Sequence, residues 1–593
     1  MGYLISGNLT CLGGKISPAL LDLQHLEYLD LGENDFQGLA TPTFLGSLEK
    51  LQYLNLTHSS LVSNATTLET LDIAISNIEG SISNVEWGKL CNLQDLYLTQ
   101  NKLNGDISRV VEGLSNCSNT TLEFLGLDGN RLTGHISFNQ ISGTIPTSIE
   151  QLSRLEILDL GQSQLKGALP ESIFNLTELT QLFLATNDWE GNLSQNDFAR
   201  LHQLKFLAIS CGERFSVNLS SEWIPPFSLT YIEIRKCAFG SKLPTWLKTQ
   251  KQLHTNILSN DSISDPIPPW LWTMCSQLQF LDLSDNEIGG NLPRLVNFPS
   301  SQSRTVDFYS SYSDGVVVDL SSNSFHGSIP YSITRVKQLM RLDLSDNHLS
   351  GKIPDWWADL QQLHVIDLSG NNLSGGIPPS LCSPPSLFWL RLSRNNLFGE
   401  LPKSLSNCKS LLTLDIGENK ISGTIPEWFG EKGNKDMTYT STLDQVNLID
   451  LSFNNLHGVI PNEITGLSAL GTLNLSWNQL SGRIPEDIGS MQQLETLDLS
   501  SNHLSGSIPL SMTSITTLSY LNLSYNNLGC PIPSKNQFGT FTNPSSFEGN
   551  PELCGKPLIT DCSPPRKRDH KKIEEEEDDE RLWFLMSAGV GMS

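Results

Sequence analysis

The chain has 593 residues, of which 38% are apolar, and it carries 63 acidic against 38 basic side chains, a net charge of −25. This balance argues against a nucleic-acid-binding protein, because the neutralisation of phosphates requires clustered basic side chains. Seven of the acids form one run, Glu574 to Glu580, so the remainder of the chain is only moderately acidic.

One pattern recurs along nearly the whole chain. Its clearest copies carry Asn347, Asn371, Asn395 and Asn419, each 24 residues after the last. A period of about 20–29 residues with the pattern L-x-x-L-x-L-x-x-N-x-L is typical of leucine-rich repeats. The alternation within each copy predicts a short half-buried strand, and one strand per coil builds a parallel sheet. We therefore predict an α/β-type leucine-rich-repeat solenoid, with 3-10 and irregular segments on its convex side.

The repeated asparagine is predicted to be structural. It stands where the chain turns away from the strand, and its amide can satisfy backbone groups that would otherwise be buried unpaired at a cost of roughly 1–3 kcal/mol each. The predicted ladder comprises Asn347, Asn371, Asn395, Asn419, Asn478, Asn502 and Asn526. The G-x-I-P text that follows adds a glycine for a tight turn and a proline that prevents a regular helix.

The beginning of the chain does not show a secretion signal, since Met1 to Cys11 has no basic start and no sustained apolar core. Repeat-like text begins near Ile16, and Asn34 occupies the first asparagine position. A solenoid end normally carries a polar cap, and no paired cysteines precede the first repeat. We therefore expect the sequence to be truncated at this end.

About 21 repeat positions follow, most of them 24 or 25 residues apart. Two steps are short: 17 residues from Ser59 to Ser76, and nine residues from Asn130 to Asn139. We interpret the second as two repeats joined with about fifteen residues missing; a tolerated irregular coil is the alternative. Two long steps contain polar stretches near 300–314 and 430–445, which we expect to loop out and to be either binding insertions or ordinary mobile loops.

Three asparagine positions in the middle of the chain are occupied by Gly212, Cys237 and Asp261. We expect Cys237 to be structural, because a thiol is also a weak donor. The eleven cysteines are an odd number, which indicates either a secreted disulfide protein with one thiol unpaired or several buried thiols.

The sequence changes character after residue 528. The solenoid is assigned to 1–528 and a C-terminal cap to 529–564, in which Cys554 and Cys562 are expected to form a disulfide. Residues 565–581 form a charged acidic linker. The apolar segment 582–593 is shorter than the roughly 20 residues of a membrane span, and we interpret it as the start of a truncated transmembrane helix, with a loose tail as the alternative.

Twelve Asn-x-Ser/Thr sequons fit a glycosylated secreted protein better than a cytosolic one. The candidate glycosylation sites are Asn8, Asn55, Asn64, Asn116, Asn119, Asn175, Asn192, Asn218, Asn260, Asn372, Asn474 and Asn522.

The motifs of phosphate-binding loops, zinc proteases, serine hydrolases and kinases are not found in the sequence. His348 and His503 follow the asparagine position and have no ligand spacing, so no metal and no cofactor is expected. A column of aspartates is predicted to lie on exposed strands without buried partners: Asp343, Asp367, Asp415, Asp450 and Asp498. We therefore expect no enzyme.

Binding is the function that remains, and the outward positions of the sheet are its predicted location. Large or charged residues that depart from the repeat pattern are the candidates, because aromatic and arginine side chains dominate interfaces. The ligand-contact candidates are Tyr231, Glu233, Arg235, Lys236, His364, Phe388, Trp389, Arg391 and Arg394; Trp477, Tyr520 and Tyr525 are candidates for contact with a co-receptor.

The repeat text resembles that of plant leucine-rich-repeat receptor-like proteins, the cell-surface immune receptors that lack a kinase domain. The stretches ISPALLDLQHLEYLDLGENDFQG, GTIPEWFGEK, YTSTLDQVNLIDLS and CGKPLITDC are similar to the group related to receptors of the fungal ethylene-inducing xylanase. The resemblance covers Gly14 to Gly591.

This resemblance implies the plant-specific twisted superhelix with a second short strand in each coil. It also implies a plasma-membrane protein with extracellular repeats, a protein, peptide or glycan ligand, and a partner receptor kinase that signals in defence. Two alternatives remain at this point: a secreted inhibitor of cell-wall-degrading enzymes, and a non-functional receptor fragment.

Overall fold

A computed structural model of the chain describes residues 16–31, 34, 43–55, 66–133, 145–220, 222–237, 240–293, 298, 315–430 and 446–562. All structural statements below concern these residues. Several predictions lie outside them: the sequons Asn8 and Asn64, the positions Ser59 and Asn139, the stretches 301–314 and 431–445, and the linker and apolar segment after residue 564.

The described residues form a leucine-rich-repeat solenoid built around one parallel sheet of twenty strands. Each coil contributes one strand, which pairs with the strand of the next coil. In chain order the strands are Tyr28–Asp30, Tyr53–Asn55, Thr70–Asp72, Asp95–Tyr97, Phe124–Gly126, Ile157–Asp159, Gln181–Phe183, Phe206–Ser210, Tyr231–Arg235, Thr255–Ser259, Phe280–Asp282, Val316–Asp319, Leu339–Asp343, Val365–Asp367, Trp389–Arg391, Thr413–Asp415, Leu448–Asp450, Thr472–Asn474, Thr496–Asp498 and Tyr520–Asn522. We call the solvent-facing side of this sheet the concave face.

The core lies directly behind this sheet. Leu342 and Leu344 are buried, whereas the neighbouring Arg341 faces the concave side. The same alternation in every coil stacks leucines on leucines along the solenoid axis, so each coil buries its apolar face against its neighbours. The predicted fold class is therefore confirmed.

The repeated asparagine joins consecutive coils by hydrogen bonds. The amide nitrogen of Asn371 donates to the carbonyl oxygens of Leu344, Leu368 and Ser369 at 2.9, 3.2 and 3.1 Å. Its carbonyl oxygen accepts the Leu349 N–H at 2.9 Å. Leu344 and Leu349 belong to the preceding coil, so one side chain satisfies backbone groups of two coils. Asn550 in the cap continues the ladder, a rung that the sequence analysis did not identify.

A second layer of short parallel strands follows the asparagine turn. It forms two sheets of three strands and one of eleven. The strands are Glu79–Ser81, Lys102–Asp106 and Arg131–Thr133; then Lys166–Ala168, Asp188–Ser194 and Phe215–Asn218; then Gly289–Asn291, Ser324–Gly327, His348–Lys352, Asn372–Gly375, Asn396–Gly399, Lys420–Thr424, Asn455–Val459, Gln479–Gly482, His503–Ser507, Asn527–Pro531 and Glu552–Cys554. This is the second strand that the resemblance implied.

Short helices return the chain along the convex side. Most are 3-10 helices that follow a proline, because proline fixes the first backbone angle and lacks an N–H. The 3-10 helices are Pro18–Asp22, Thr43–Ser47, Ile82–Asn84, Trp87–Lys89, Thr147–Gln151, Glu171–Asn175, Thr245–Thr249, Tyr331–Arg335, Trp357–Asp359, Pro379–Cys382, Lys403–Asn407, Glu427–Phe429, Asn462–Gly466, Glu486–Ser490, Leu510–Ser514, Asn536–Thr540 and Pro544–Ser546; the α-helices are Ser108–Ser115 and Pro269–Met274.

The concave sheet stays continuous where the repeat spacing is irregular. Phe124–Gly126 pairs directly with Ile157–Asp159. The interpretation of this region as two repeats joined with about fifteen residues missing stays a prediction, because residues 134–144 lie outside the described part of the chain. The sheet also runs without a break across both long steps, from Phe280–Asp282 to Val316–Asp319 and from Thr413–Asp415 to Leu448–Asp450. The described strands on either side of each long step therefore pair as consecutive strands of the sheet.

Eight of the ten described cysteines form disulfides. Cys554 and Cys562 are joined within the cap. Three further disulfides connect neighbouring coils across 26 residues: Cys91–Cys117, Cys211–Cys237 and Cys382–Cys408. Cys237 is thus oxidised rather than a thiol donor, because the coil spacing brings its Cα to 4.8 Å from that of Cys211. Cys275 is free and buried, and Cys530 is free and exposed.

Candidate ligand-binding surface

The first group of predicted contact residues forms one polar network on the concave face. The Tyr231 hydroxyl donates to Glu233 at 2.6 Å, and the Arg235 Nε donates to the other Glu233 oxygen at 2.7 Å. Arg235 also donates to the Ser259 hydroxyl at 2.6 Å and lies 3.5 Å from Asp282. These contacts hold the guanidinium in one orientation across three coils.

Tyr231 is less accessible than the sequence pattern suggests. It is buried in a small apolar cluster on the concave face together with Phe183, Ala208 and Ile257. Its ring stacks on Phe206, with centroids 5.9 Å apart. Side chains of adjacent strands meet on the inside of a curved sheet, so large rings at equivalent positions cover one another. The prediction of Tyr231 as an open contact is corrected accordingly.

Replacing Arg235 by Gln is expected to lower the free energy of unfolding by about 1–2 kcal/mol. The change leaves Glu233 and Asp282 without their cation, and these carboxylates are only 20% and 9% exposed. The estimate is at the low end for buried pairs because Arg235 itself is 37% exposed. Denaturant unfolding of the variant measures the effect. Arg235→Lys keeps the charge and is expected to lose less stability than Arg235→Gln. Equal stability of the wild type and both variants would contradict the role of the network.

A row of aspartates runs along the concave face at the ends of the strands. Asp343 and Asp367 are buried, and Asp415, Asp450 and Asp498 are half-buried. The prediction that this column is exposed is therefore wrong. Where the residue two positions later is a serine, the carboxylate accepts hydrogen bonds from its N–H and its hydroxyl. Asp343 accepts both from Ser345, at 3.1 and 2.7 Å.

The row is crowded with negative charge. Burial, with a contribution from the charge of Asp343, raises the pKa of Asp319 to about 6. Burial also raises the pKa of Asp367 and of Asp415. Arg341 relieves part of the repulsion, lying 3.3 Å from Asp319 and 3.0 Å from Asp343. A cationic group brought to this row would relieve more of it.

The second predicted group lies further along the same face. The Arg391 guanidinium lies over the Trp389 ring, 4.7 Å from its centroid, and between Asp367 at 3.7 Å and Asp415 at 4.0 Å. At the start of the strands, His364 and Phe388 meet edge to face with centroids 5.9 Å apart. These four half-buried side chains form a mixed aromatic and cationic surface.

The remaining candidates lie at the edge of the concave face rather than on strands, except for Tyr520. Lys236, Arg394, Trp477 and Tyr525 each precede the asparagine position and adopt positive φ angles of 61, 53, 52 and 53°. They are exposed at the turn that follows the strand. Tyr520 begins the last strand of the sheet and is 49% exposed.

These candidates occupy one face but do not converge on one site. Six coil steps separate Tyr231–Arg235 from Trp389–Arg391, about 29 Å at the spacing of strands in a sheet. Five more steps, about 24 Å, lead to Tyr520. A single ligand that contacts all three groups must therefore be extended.

The sequence analysis missed Phe453, which is 48% exposed and stacks on Trp477 with centroids 5.1 Å apart. The available signal was an aromatic residue immediately before the asparagine, the same position as Trp477 and Tyr525.

The described sequons divide into two groups. Those with exposed asparagines are Asn116, Asn119, Asn175, Asn192, Asn218, Asn260 and Asn372. Asn55, Asn474 and Asn522 are half-buried on the concave sheet. The amides of Asn474 and Asn522 donate to Asp450 and Asp498 at 2.8 and 3.2 Å, so these two asparagines are part of the hydrogen-bonded row.

The described residues lack two further features. Within them, no group of three or more His, Cys, Asp or Glu side chains has an arrangement suited to a metal ion. None of the helices in this part of the chain has the length and apolar character needed to cross a membrane.

Comparison with known families identifies the repeats. The Leucine rich repeat profile matches residues 316–373 and 337–397, and related profiles of the same repeat match 277–298, 410–431, 469–491, 493–515 and 514–529. All of these matches lie between residues 277 and 529.

Curated relatives are receptor-like proteins from plants. Receptor-like protein EIX2 of Solanum lycopersicum is 33% identical over 138 residues, which cover 23% of this chain and 12% of that protein. Receptor-like protein 39 of Arabidopsis thaliana is 30% identical over 344 residues, which cover 55% of this chain and 37% of that protein. The matched region is thus well under half the length of either relative.

Solved structures show the same architecture. The leucine-rich-repeat ectodomain of the Arabidopsis receptor kinase HAESA, in complex with an N-terminally extended IDA peptide hormone, is 30% identical with a TM-score of 0.55. The alignment covers 92% of this chain and 85% of that ectodomain. HAESA has also been solved with IDA and the co-receptor SERK1, and that structure is 29% identical to this chain with a TM-score of 0.50.

Proposed function

Because the chain belongs to the leucine-rich-repeat proteins and its curated relatives are plant receptor-like proteins, we propose that it is the ligand-recognising ectodomain of a plant cell-surface receptor-like protein. Its role is recognition of a protein, peptide or glycan ligand outside the cell. Signalling in defence then passes through a partner receptor kinase at the plasma membrane.

The observation that carries this proposal is the concave face. Along one continuous sheet it presents Arg391 over Trp389, the ordered Arg235 network and a row of carboxylates with raised pKa values. None of these side chains is required by the leucine core behind the sheet. The related HAESA ectodomain binds a peptide hormone, which supports a peptide as the first ligand class to test.

The proposed mode of recognition follows from the spacing of the groups. An extended ligand lies along the solenoid axis and contacts one coil after another, because the groups are distributed over more than ten coils. Aromatic side chains at Phe388 and Trp389 provide apolar contact, and the flanking charges select the ligand by electrostatic complementarity. The solenoid undergoes little rearrangement, so the cost of ordering falls mainly on the ligand.

We assign the partner kinase to the C-terminal coils. Trp477, Tyr520 and Tyr525 are 56, 49 and 57% exposed, and aromatic residues with this exposure are typical anchors of protein interfaces. The acidic stretch 565–581 and the apolar segment 582–593 follow these coils in the sequence, which supports placing this end of the solenoid nearest the membrane.

The ligand proposal is tested with a peptide library displayed on phage and panned against the wild-type chain. Peptides selected on the concave face are expected to bind the Arg391→Gln variant at least about fivefold more weakly. Arg335→Gln is the matched control, because Arg335 is exposed on a convex 3-10 helix. Equal loss in both variants, or loss in the control alone, would refute recognition on the concave face.

The signalling proposal is tested with the receptor expressed in plant cells. Receptor kinases that co-precipitate with it after addition of the selected ligand are expected to be lost with Trp477→Ala and retained with Tyr331→Ala, which removes an exposed convex aromatic residue. Defence outputs such as an oxidative burst should likewise be lost with Trp477→Ala and retained with Tyr331→Ala. If signalling is unchanged by Trp477→Ala, the assignment of the partner interface to the C-terminal coils is wrong.

A further inference from the structure

One side chain per coil forms a column along the edge of the concave face, immediately before each asparagine. In the last coils this column comprises Glu418, Phe453, Trp477, Ser501 and Tyr525, with φ angles of 51, 50, 52, 54 and 53°. Because the backbone conformation is the same in each, the side chains leave the solenoid in the same direction. Neighbouring rings in the column can therefore stack, as Phe453 and Trp477 do.

Ser501 interrupts this stack. On one side Trp477 leans toward Phe453, with centroids 5.1 Å apart and ring planes 10° apart. On the other side Tyr525 leans away, since its ring covers Gly549 and its hydroxyl donates to Glu548 at 3.0 Å. Because Ser501 is short, no ring stands between Trp477 and Tyr525, and we call the gap between these two side chains the slot.

The slot has room for one planar group. Phe453 and Trp477 show that consecutive coils place two stacked rings 5.1 Å apart. Trp477 and Tyr525 are two coils apart, about 10 Å at the spacing of strands in a sheet. Elsewhere in the column, Arg394 reaches over Gly370 to Asp346, with 3.0 Å between Nη2 and Oδ1. Side chains in this column therefore interact across a small residue.

Charge selects the kind of planar group. Residues 446–562 contain nine acidic and three basic side chains. Asp498, in the coil of Ser501, accepts hydrogen bonds from Ser500, Tyr520 and Asn522. Within the described part of the chain, neither Asp498 nor Glu548 has a Lys or Arg nitrogen within 4.0 Å. A guanidinium satisfies both the aromatic walls and the negative surroundings.

The same solenoid already contains such a contact, with Arg391 lying over Trp389 at 4.7 Å. We propose that the slot between Trp477 and Tyr525 binds an arginine side chain presented by a partner protein. This deepens the proposed function, on which it rests for the presence of a partner at the C-terminal coils. Trp477 provides the cation–π face, Tyr525 the second wall and Asp498 the countercharge.

Ser501→Arg tests the geometry within the chain itself. Arg394 at the equivalent position has nearly the same φ angle, so the substitution is compatible with the backbone. A crystal structure of the variant is expected to show the new guanidinium between Trp477 and Tyr525. A side chain directed into solvent in that structure would overturn the proposal.

Binding is tested with a random peptide library displayed on phage, panned on the full chain. The informative peptides bind the wild type and Ser501→Asn but not Ser501→Arg, which fills the slot. They are expected to be enriched in arginine, and replacing that arginine by lysine should weaken binding by about fivefold or more. Enrichment in aromatic residues, or absence of any such peptides, would overturn the proposal.

Two further outcomes separate this proposal from the proposed function. A receptor-kinase ectodomain that binds the wild type and Ser501→Arg equally would leave the receptor role intact and overturn the slot. If arginine peptides are selected but no receptor-kinase ectodomain binds the chain, the slot stands and the proposed kinase partner is overturned. Stronger peptide binding after replacement of Arg566 and Arg568 by Ser would assign the slot to this chain's own arginines and overturn the assignment to a partner.

Discussion

Replacing Asp261 by Asn is expected to stabilise the protein at neutral pH and to remove a pH dependence of its unfolding. Asp261 occupies the asparagine position of its coil and is fully buried. One carboxylate oxygen accepts the Cys237 N–H at 2.7 Å, as an asparagine oxygen would. The other oxygen has no hydrogen-bond donor among the described residues.

The unpartnered oxygen of Asp261 lies where the other coils place a donor. In the next coil, the Asn286 amide nitrogen donates to the carbonyl oxygens of Leu258, Leu283 and Ser284. An ionised Asp261 instead directs negative charge toward the equivalent carbonyls, whereas the protonated acid can donate to one of them. Burial raises the pKa of Asp261 to about 7; Arg235 opposes this rise, and Asp282 adds to it.

The sign of the effect follows from linkage. The folded state holds the proton up to a pH near 7, whereas the unfolded state releases it near 4. Stability from this group is therefore complete below about pH 4 and is lost as the pH rises to about 7, by up to about 4 kcal/mol. Asn carries no proton to lose and restores the missing donor.

The measurement is denaturant unfolding of the wild type and Asp261→Asn between pH 4 and pH 8. The stability difference in favour of the variant is expected to grow across this range and to level off above about pH 7. A difference that is constant with pH would contradict the assignment of the titration to Asp261. Asn286→Asp is expected to create the same dependence in the next coil.

Replacing Asn371 by Ala is expected to destabilise the solenoid by about 3 kcal/mol or more. The side chain makes three donor contacts and one acceptor contact with buried backbone groups. Its removal leaves groups of two coils unpaired, at roughly 1–3 kcal/mol for each group that water does not reach. Because repeats are held mainly by their neighbours, the loss should appear as local opening near this coil.

Hydrogen exchange of the strands Leu339–Asp343 and Val365–Asp367 measures this opening, together with global unfolding in denaturant. Asn407→Ala is the control, because Asn407 is exposed at the end of a convex 3-10 helix. If both variants unfold alike, the ladder would not be the main connection between coils.

The fold was predictable because its signals are local. The spacing of Leu and Asn residues fixes which side chains enter the core and where each coil turns, and both repeat in every copy. The register between coils then follows from the period, so the ladder from Asn347 to Asn526 could be predicted from the sequence.

The features that the sequence did not predict, or predicted wrongly, are contacts between coils. Whether Asp343 is buried depends on Ser345 and Arg341 together, and the burial of Tyr231 depends on Phe206 and Phe183 in earlier coils. The disulfide Cys382–Cys408 joins cysteines 26 residues apart, near but not at the 24-residue period. The pattern within one repeat contains none of this information.

The central claim is that the concave face and its C-terminal edge recognise ligands and partners. Hydroxyl-radical footprinting of the chain with and without a peptide selected from the library tests this claim directly. Oxidation of Trp389, of the edge residue Trp477 and of Tyr520 on the last strand is expected to fall on binding, while that of convex Tyr331 stays the same. Protection of Tyr331 with unchanged oxidation of Trp389 and Trp477 would place recognition on the opposite side of the solenoid and contradict the account.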